Sequence, residues 1–340
     1  MLRDAGLRRR ELRQQRLTPD LGTPDPANRS VAVTGASGFI GRAVVRRLSR
    51  SGIRVRALCR RPEPSLGQGG VDVVLGALED PAGLERLLDG TEAVVHAAGA
   101  VRARSRRQFD AVNRAGTAGL LAALASVTRP QRLILLSSLA AREPALSAYA
   151  RSKLMAEQEV ALCRSRLRDL CILRPPAVYG PGDRGTLAIF RQLARRFLLI
   201  PAPPDARFSL LFVEDLAELV ERLLQAPRWD GVTLEPDDGR PGGYRWHDLA
   251  AIAGRSLGRP VRTWSLPGPL VGMAAGLSET YGALCRQPPA LGLGKLRELR
   301  HRDWVCRSIH PLALDGWASR TQFEGGFACT LAWYKENGWL

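Results

Sequence analysis

The segment Thr34–Gly41 reads TGASGFIG and decides the fold of this 340-residue chain. It follows a short apolar run, Val31–Val33, and opens a stretch, Gly38–Ser49, whose apolar residues recur at helical spacing. Its three glycines alone are a weak signal, expected by chance about 0.3 times in a chain of this composition. Between a strand and a helix, however, glycines permit a tight turn and let a pyrophosphate approach the free N–H groups and positive dipole of the helix N-terminus. The position of the segment favours dinucleotide binding over a purely structural turn.

Short apolar segments alternate with helical segments from Ser30 to Gly182. Five further segments read as strands: Arg54–Leu58, Val71–Leu75, Ala93–Ala97, Arg132–Ser137 and Leu170–Leu173. The helical segments between them are Leu84–Leu88, Phe109–Leu124 and Ala148–Arg166. Such alternation is typical of a parallel sheet covered on both faces. The sequence predicts an α/β fold, a doubly wound parallel Rossmann sheet with a smaller, mixed C-terminal substrate domain.

Composition and proline distribution divide the chain. At about 150 residues per domain, the length predicts two domains, and 45% apolar with 24% charged residues excludes disorder as the main state. We expect residues 1–28 to form a flexible, arginine-rich tail. We expect an NAD(P)-binding Rossmann domain over 29–185 plus 207–235, and a substrate-binding domain over 186–206 plus 236–340.

The net charge of +17 is carried almost entirely by arginine. Such a charge can mark a nucleic-acid or acidic-lipid partner. Because no motif that reads DNA or RNA accompanies it, we favour an arginine bias on solvated faces and predict no nucleic-acid partner.

The cysteines and apolar runs indicate the compartment. The six cysteines lie far apart without a CxxC pair, which predicts reduced thiols and a cytoplasmic protein. His301, Cys306 and His310 match no zinc spacing, so no metal site is expected. No apolar run reaches the roughly 18 to 20 residues that a transmembrane segment requires.

The segment Tyr149-Ala-Arg-Ser-Lys153 is the more specific motif, because a YxxxK pair is expected by chance only about 0.04 times here. On a helix the two side chains share a face, where an ammonium favours the phenolate of a tyrosine. Ser138 follows the strand Arg132–Ser137 and is placed to polarise a substrate oxygen. The alternative, an exposed tyrosine with a surface lysine, is disfavoured by the order of strand, serine, loop and helix.

With both motifs in view, the sequence resembles the extended short-chain dehydrogenase/reductase family, the NAD-dependent epimerase/dehydratase group, most strongly over residues 30–235. The segment 266–284, LPGPLVGMAAGLSETYGAL, is similar to the branch that includes 3β-hydroxysteroid dehydrogenases and dihydroflavonol reductases. That likeness suggests an apolar pocket walled by Leu270, Val271, Met273 and Leu277. Packing of the small domain by these residues is the equal alternative.

The resemblance implies roles for individual residues. The catalytic set it implies is Ser138, Tyr149, Lys153 and Asn113. The cofactor-binding residues it implies are Gly35, Ser37, Gly38, Phe39, Ile40, Gly41, Arg60, Arg61, Leu78, Ala97, Ala98, Gly99, Tyr149, Lys153, Pro175 and Val178.

Three departures from the family pattern bear on the ligands. Where NAD-specific members carry an acid after the second strand, this chain has Cys59 followed by Arg60 and Arg61, which suits a 2′-phosphate. NADP(H) is therefore the preferred cofactor and NAD(H) the alternative. The family's Gly-Asp-Leu after the third strand is replaced by the segment Gly76–Leu78, without the aspartate. Arg207 is one residue out of step with the arginine that holds a nucleotide-sugar diphosphate.

The leading hypothesis is an NAD(P)-dependent oxidoreductase or epimerase that transfers hydride to or from a carbinol or carbonyl, with a tyrosine as general acid/base. The substrate is an apolar alcohol or ketone, or a nucleotide-sugar. The alternatives are a nucleotide-sugar epimerase or dehydratase and a non-catalytic NADP-binding assembly or sensor protein, which the YxxxK pair disfavours. We also expect a homodimer. Its candidate contacts are Leu120, Leu124, Leu154 and Val160, and the alternative is that these residues face the protein's own sheet.

Overall fold

A parallel seven-stranded sheet forms the centre of the molecule in a computed structural model that describes residues 30–67, 69–127, 131–229, 231–285, 287–289, 291–307 and 316–340. The strands in chain order are β1 (Ser30–Thr34), β2 (Arg54–Cys59), β3 (Val71–Leu75), β4 (Ala93–His96), β5 (Arg132–Leu136), β6 (Asp169–Leu173), β7 (Ala177–Tyr179), β8 (Phe197–Ile200), β9 (Arg207–Phe208), β10 (Leu210–Phe212), β11 (Val232–Leu234), β12 (Arg262–Ser265) and β13 (Asp303–Trp304). The central sheet has the order β3-β2-β1-β4-β5-β6-β11. The predicted tail, residues 1–28, and His310 lie outside the described residues.

The helices in chain order are α1 (Phe39–Arg50), α2 (Pro81–Leu88), α3 (Arg106–Phe109), α4 (Gly116–Ser126), α5 (Ala148–Leu162), α6 (Leu187–Ala194), α7 (Val213–Gln225), α8 (Trp246–Ser256), α9 (Gly268–Leu284), α10 (Leu293–Arg300) and α11 (Phe323–Glu336). A π-helical segment, Asp110–Ala115, joins α3 to α4. Among the described residues, no helix combines the length and the apolar character needed to cross a bilayer.

Alternating residues of the central strands supply two separate apolar cores. On β1, Val31 and Val33 pack with α1 and α7 on one face, whereas Ala32 packs with α2, α4 and α5 on the other. Because successive side chains point to opposite faces of a strand, a sheet covered on both sides needs strands that are apolar throughout. The structure confirms the α/β class and the doubly wound sheet.

A third core, rich in aromatic residues, lies in the C-terminal part. Tyr179, Phe190, Phe323, Phe327 and Tyr334 are all buried in it, with ring centroids 5.3 to 6.3 Å apart. A small fourth cluster joins α9 to α10. The short strands here pair outside the central sheet, β7 with β10, β8 with β12 and β9 with β13. The division into the two predicted domains stays a prediction.

The structure bears on two groups of apolar residues for which the sequence left alternatives open. Leu120, Leu124 and Val160 are buried in the core between the sheet and its own helices, so they are not available as dimer contacts. On α9, Val271 is buried but Leu270, Met273 and Leu277 are exposed, so these three side chains do not pack the small domain, and their lining of a pocket stays a prediction. An apolar run shows that a helix has apolar faces, but not which face its neighbours cover.

Candidate active site

The predicted site residues gather at the carboxyl edge of the central sheet. The glycine loop follows β1, the segment 97–99 follows β4, Ser138 follows β5 and Pro175 follows β6. The strand order reverses between β1 and β4. The next strands in sequence, β2 and β3, lie on the far side of β1, whereas β5 and β6 lie on the far side of β4. Such a switch point opens a crevice at the strand ends, where ligands of open α/β sheets bind.

The glycine loop fits a bound dinucleotide. Gly35 has φ +68°, and a Cβ at this position would lie 2.6 Å from the backbone nitrogen of Ala98. A Cβ on Gly41 would overlap the Gly35 carbonyl. Helix α1 begins after Gly38 without a side-chain cap and without an acidic residue in its first turn. Its first N–H groups are therefore available to a pyrophosphate, as predicted for this loop.

Arginines surround the loop that follows β2. Arg60 and Arg61 are exposed there. Arg42, at the start of α1, donates to the Ser37 carbonyl at 2.9 Å and to the Glu63 carboxylate at 2.8 Å. Sequence reasoning missed Arg42 and Glu63, because their pairing joins residues 21 positions apart. Whether the three arginines prefer a 2′-phosphate stays a prediction.

His96 at the end of β4 is buried and neutral. Burial, and secondarily the charge of Lys153, lower its pKa to about 3. The Thr117 hydroxyl donates to the Asn113 carbonyl, so it accepts the hydrogen bond from His96 Nε2 at 3.0 Å. His96 Nδ1 then accepts from the Thr34 hydroxyl at 2.6 Å. The ring ties the glycine loop to the segment that carries Asn113.

Asn113 and Lys153 converge on Gly99. The Asn113 amide makes two hydrogen bonds with the backbone of Ala100, of 2.7 and 3.0 Å, and a third with the Ser152 hydroxyl at 2.8 Å. A Cβ on Gly99 would lie 3.3 Å from Asn113 Oδ1 and 3.5 Å from Lys153 Nζ. The wide turn Asp110–Ala115 contains Asn113, which differs from the single helix expected over Phe109–Leu124.

Tyr149 lies in the first turn of α5 with its hydroxyl against Ser138. Burial is the main reason that the pKa of Tyr149 is raised to about 12. A hydrogen bond from Ser138 lowers this pKa, and the charge of Glu298 raises it further. The phenol is therefore protonated at neutral pH. Such a group is poised to donate a proton and is a poor base.

Lys153, one turn further along α5, donates to the Leu136 carbonyl at 2.6 Å. Burial lowers its pKa to about 8, and the charge of Glu157 acts in the opposite direction. Glu157 is buried and binds Arg174 in a bidentate pair of 2.9 and 2.6 Å, while accepting the Ser137 hydroxyl at 2.5 Å. Sequence reasoning missed Glu157, although its position one turn after Lys153 was a usable signal.

Helix α10 reaches the site from the C-terminal part of the chain. The Ser147 hydroxyl, which caps α5 by accepting from the Ala150 N–H at 2.9 Å, donates to the buried carboxylate of Glu298. Lys295 pairs with the same carboxylate at 3.0 Å. The charge of Glu298, held here, raises the pKa of the adjacent Tyr149. No sequence motif marks Glu298, because it comes close only in the folded chain.

The remaining predicted cofactor residues lie at the same edge with less specific contacts. The Ala98 N–H donates to the Thr34 hydroxyl at 3.3 Å, and the Pro175 carbonyl accepts from the Leu139 N–H at 2.9 Å. The side chain of Leu78 is buried against Gly116 at the start of α4. Ser37 and Ile40 lie in the glycine loop, Ala97 follows β4, and Val178 is partly buried against the core that contains α7. Their roles stay predictions, as do those of the catalytic set. In the described part of the chain, no group of three or more His, Cys, Asp or Glu side chains could hold a metal ion.

With this geometry established, comparison with known proteins identifies the family. The model of the NAD dependent epimerase/dehydratase family matches residues 31–232. The chain belongs to this family. The match confirms the resemblance seen in the sequence, and the chain is an NAD(P)-dependent oxidoreductase or epimerase.

Individual relatives include reductases. The chain is 40% identical, over 91% of its length and 96% of the relative, to the "Ceramide reductase" of Caulobacter vibrioides. It is 30% identical, over 54% of its length and 60% of the relative, to a "Putative dihydroflavonol 4-reductase" of Synechocystis. A solved structure, "MoeE5 in complex with UDP-glucuronic acid and NAD", superposes with a TM-score of 0.70 at 22% identity, covering 91% of this chain and 99% of that one. At this identity the superposition shows the shared fold.

Proposed function

We propose that this chain is an NADPH-dependent reductase that converts the ketone form of a long-chain, ceramide-like lipid to its secondary alcohol. The observation that carries the proposal is the 40% identity, over 91% of this chain, to a protein named ceramide reductase. The protonated state of Tyr149 also supports the reductive direction, because a ketone needs a proton donor.

The proposed mechanism assigns one task to each side chain. A dihydronicotinamide held at this site would supply the hydride that the carbonyl carbon accepts. Ser138 donates a hydrogen bond to the carbonyl oxygen and polarises it. As the C=O π bond breaks, Tyr149 transfers its phenolic proton to that oxygen, which yields the alcohol and leaves a phenolate.

Lys153 and Asn113 hold the reacting groups in place in this mechanism. The ammonium of Lys153 anchors the cofactor ribose and stabilises the phenolate of Tyr149 by its charge. Asn113 holds Ala100, and thereby the backbone after β4, through its paired amide hydrogen bonds.

A turnover assay tests the proposal. The chain is incubated with NADPH and a ketone analogue of a ceramide in detergent micelles, and separately with UDP-glucose. We expect NADPH oxidation with the ketolipid and formation of one secondary alcohol by mass spectrometry. Interconversion of UDP-sugars without net consumption of cofactor would instead establish an epimerase and overturn the proposal.

The preference for NADPH is supported by the arginines after β2 and the absence of an acid at Cys59. One arginine paired with a 2′-phosphate contributes about 1.5–3 kcal/mol, roughly tenfold to a hundredfold in affinity. We expect calorimetry to show this preference and the Arg60→Ala variant to lose most of it. The Arg54→Ala variant is the matched control, since Arg54 is exposed at the opposite end of β2. Equal affinities of the unaltered protein for NADPH and NADH would refute the preference.

We infer further that the protein is a cytoplasmic homodimer. All six cysteines are free thiols, which supports a reducing compartment. Leu162, at the end of α5, is exposed and Leu154 on the same helix is half-buried, which supports α5 as part of the contact. Light scattering that detects only monomer at micromolar concentration would refute the dimer.

A further inference from the structure

Helix α9 carries five large apolar side chains on one exposed face. Their exposed fractions are Leu270 54%, Met273 61%, Leu277 67%, Tyr281 67% and Leu284 82%. At about 100° per residue, these positions fall within an arc of roughly 80° on the helix and span about 21 Å of its length. We call these five residues the apolar stripe.

The opposite face of α9 fixes the direction in which the stripe points. Val271 and Ala275 are buried there against Leu296 of α10. From Gly268 to Leu284 the sequence contains one charged residue, Glu279. Its carboxylate is off the stripe and accepts the Leu293 N–H at 2.8 Å. The stripe itself is thus uncharged along its whole length.

Exposed basic residues on β12 and α10, the elements next to α9, form what we call the basic rim. Arg262 on β12 and both Lys295 and Arg297 on α10 are exposed. Residues 259–307 contain eight basic and three acidic residues. All three acids are engaged, Glu279 at the Leu293 N–H, Glu298 in the buried contact with α5 and Asp303 in an ion pair with Arg307. Trp264, which precedes α9, is 48% exposed, and tryptophan is enriched where a membrane meets water.

We propose that the apolar stripe is a docking surface for an anionic phospholipid bilayer. The stripe would lie at the boundary between headgroups and acyl chains, as the apolar face of an interfacial helix does. The exposed cations of the rim would face the phosphate groups, whose charge is complementary to theirs. This assigns a partner to the excess of positive charge that the catalytic site does not use.

A second copy of the chain fits this surface less well. In a two-fold symmetric contact the same patch occurs on both subunits. A stripe-to-stripe contact would therefore bring two copies of the net-basic segment 259–307 together, and the repulsion of their like charges would oppose it.

Docking through the stripe would also bring a lipid to a helix pair that contacts the active-site helix, with the stripe on the side of α9 that faces away from α10. Helix α10 packs on α9 through Leu296 and reaches α5 through the contact of Glu298 with Ser147. The helix pair therefore connects the bilayer-facing stripe to the helix that carries Tyr149. This delivery of a lipid substrate rests on the proposed function, whereas the docking surface itself rests on exposure and charge.

Co-sedimentation with vesicles tests the docking surface. The full chain is mixed with vesicles of phosphatidylcholine alone, or of an equimolar mixture of phosphatidylcholine and phosphatidylglycerol. We expect binding to the mixed vesicles that weakens as salt is raised. Leu277→Glu places a charge at the centre of the stripe and should lower the vesicle affinity at least about tenfold. Leu75→Glu is the matched control, because Leu75 is 50% exposed on the edge strand β3 and its variant should bind vesicles as the unaltered protein does.

Three results would overturn the docking surface. The first is that the unaltered protein does not bind mixed vesicles. The second is that Leu277→Glu binds them as tightly as the unaltered protein does. The third is that Leu277→Glu abolishes a dimer in light scattering and leaves vesicle binding unchanged. NADPH titration of each variant establishes that it is folded.

Turnover of a short, water-soluble ketone separates this proposal from the proposed function. Vesicle binding without reduction of any ketone would refute the proposed function and leave the docking surface standing. Ketone reduction without vesicle binding would refute the docking surface and leave the proposed function standing.

Discussion

Replacing Glu157 by glutamine tests the ion pair that supports the candidate site. The Glu157 side chain is 7% exposed and that of Arg174 is 22% exposed. Removing one partner of a buried pair typically costs about 3–5 kcal/mol. Glutamine keeps the shape and one acceptor oxygen, and Arg174 keeps Glu235 at 4.0 Å, so we expect a loss of about 2–3 kcal/mol in the free energy of unfolding. At about 2.1 cal/mol/K of unfolding entropy per residue, this corresponds to a fall in Tm of roughly 3–4 °C.

Glu159→Gln is the matched control on the same helix. Glu159 pairs with Arg114 at 2.7 Å, but the Arg114 side chain is half exposed, and such surface pairs contribute about 0.5 kcal/mol. The assay is calorimetry of both variants beside the unaltered protein. A Glu157→Gln protein that melts no lower than the control would refute the structural role of the pair.

The same variant has a second expected effect, on the pH dependence of cofactor binding. The pKa of Lys153 lies near 8 and the charge of Glu157 raises it. Loss of that charge lowers the pKa, so at about pH 8 a smaller fraction of Lys153 is protonated and available to the ribose. NADPH affinity should therefore fall more steeply between about pH 6 and pH 8 in Glu157→Gln than in Glu159→Gln. Parallel profiles in the two variants would contradict the coupling.

Two further changes test contacts made by the C-terminal part. The charge of Glu298 raises the pKa of Tyr149, so Glu298→Gln should lower that pKa. The loss of reductase activity at high pH should then occur at lower pH than in the unaltered protein. A pH profile of turnover that does not move would contradict this. A Cβ on Gly326 would overlap the buried phenol of Tyr179, whereas one on Gly325 would meet open space. Gly326→Ala should therefore lower the free energy of unfolding by about 1–3 kcal/mol. Gly325→Ala should raise it by up to about 1 kcal/mol. Denaturant titration measures both, and similar effects of the two substitutions would refute the proposed overlap.

The sequence was sufficient for six of the seven strands of the central sheet, because strands buried on both faces appear as apolar runs, but β11 (Val232–Leu234) was not predicted. The strand predicted over Val71–Leu75 has those bounds in the structure, and the one predicted over Arg54–Leu58 is one residue longer. The glycine loop was also predictable, since its position between a strand and a helix is local information. Order along the chain was enough to place Ser138 and Tyr149 at the same edge of the sheet.

Other features depend on contacts between distant parts of the chain. The wide turn Asp110–Ala115 interrupts an otherwise helical pattern, and the Asn113 amide within it binds the backbone of Ala100. The influence of Glu298 on Tyr149 joins residues nearly 150 positions apart. Periodicity also could not show that Leu277 faces outward, because that depends on which face of α9 meets α10.

The proton donated by Tyr149 is the central claim, and single-turnover kinetics of Tyr149→Phe test it most directly. The substitution removes only the hydroxyl, and the NADPH affinity measured by titration should hardly change. General acids contribute about 10²–10⁴-fold, so the rate of ketone reduction with saturating NADPH should fall by that order. Full reductase activity in Tyr149→Phe would show that the proton comes from another group and would contradict the account.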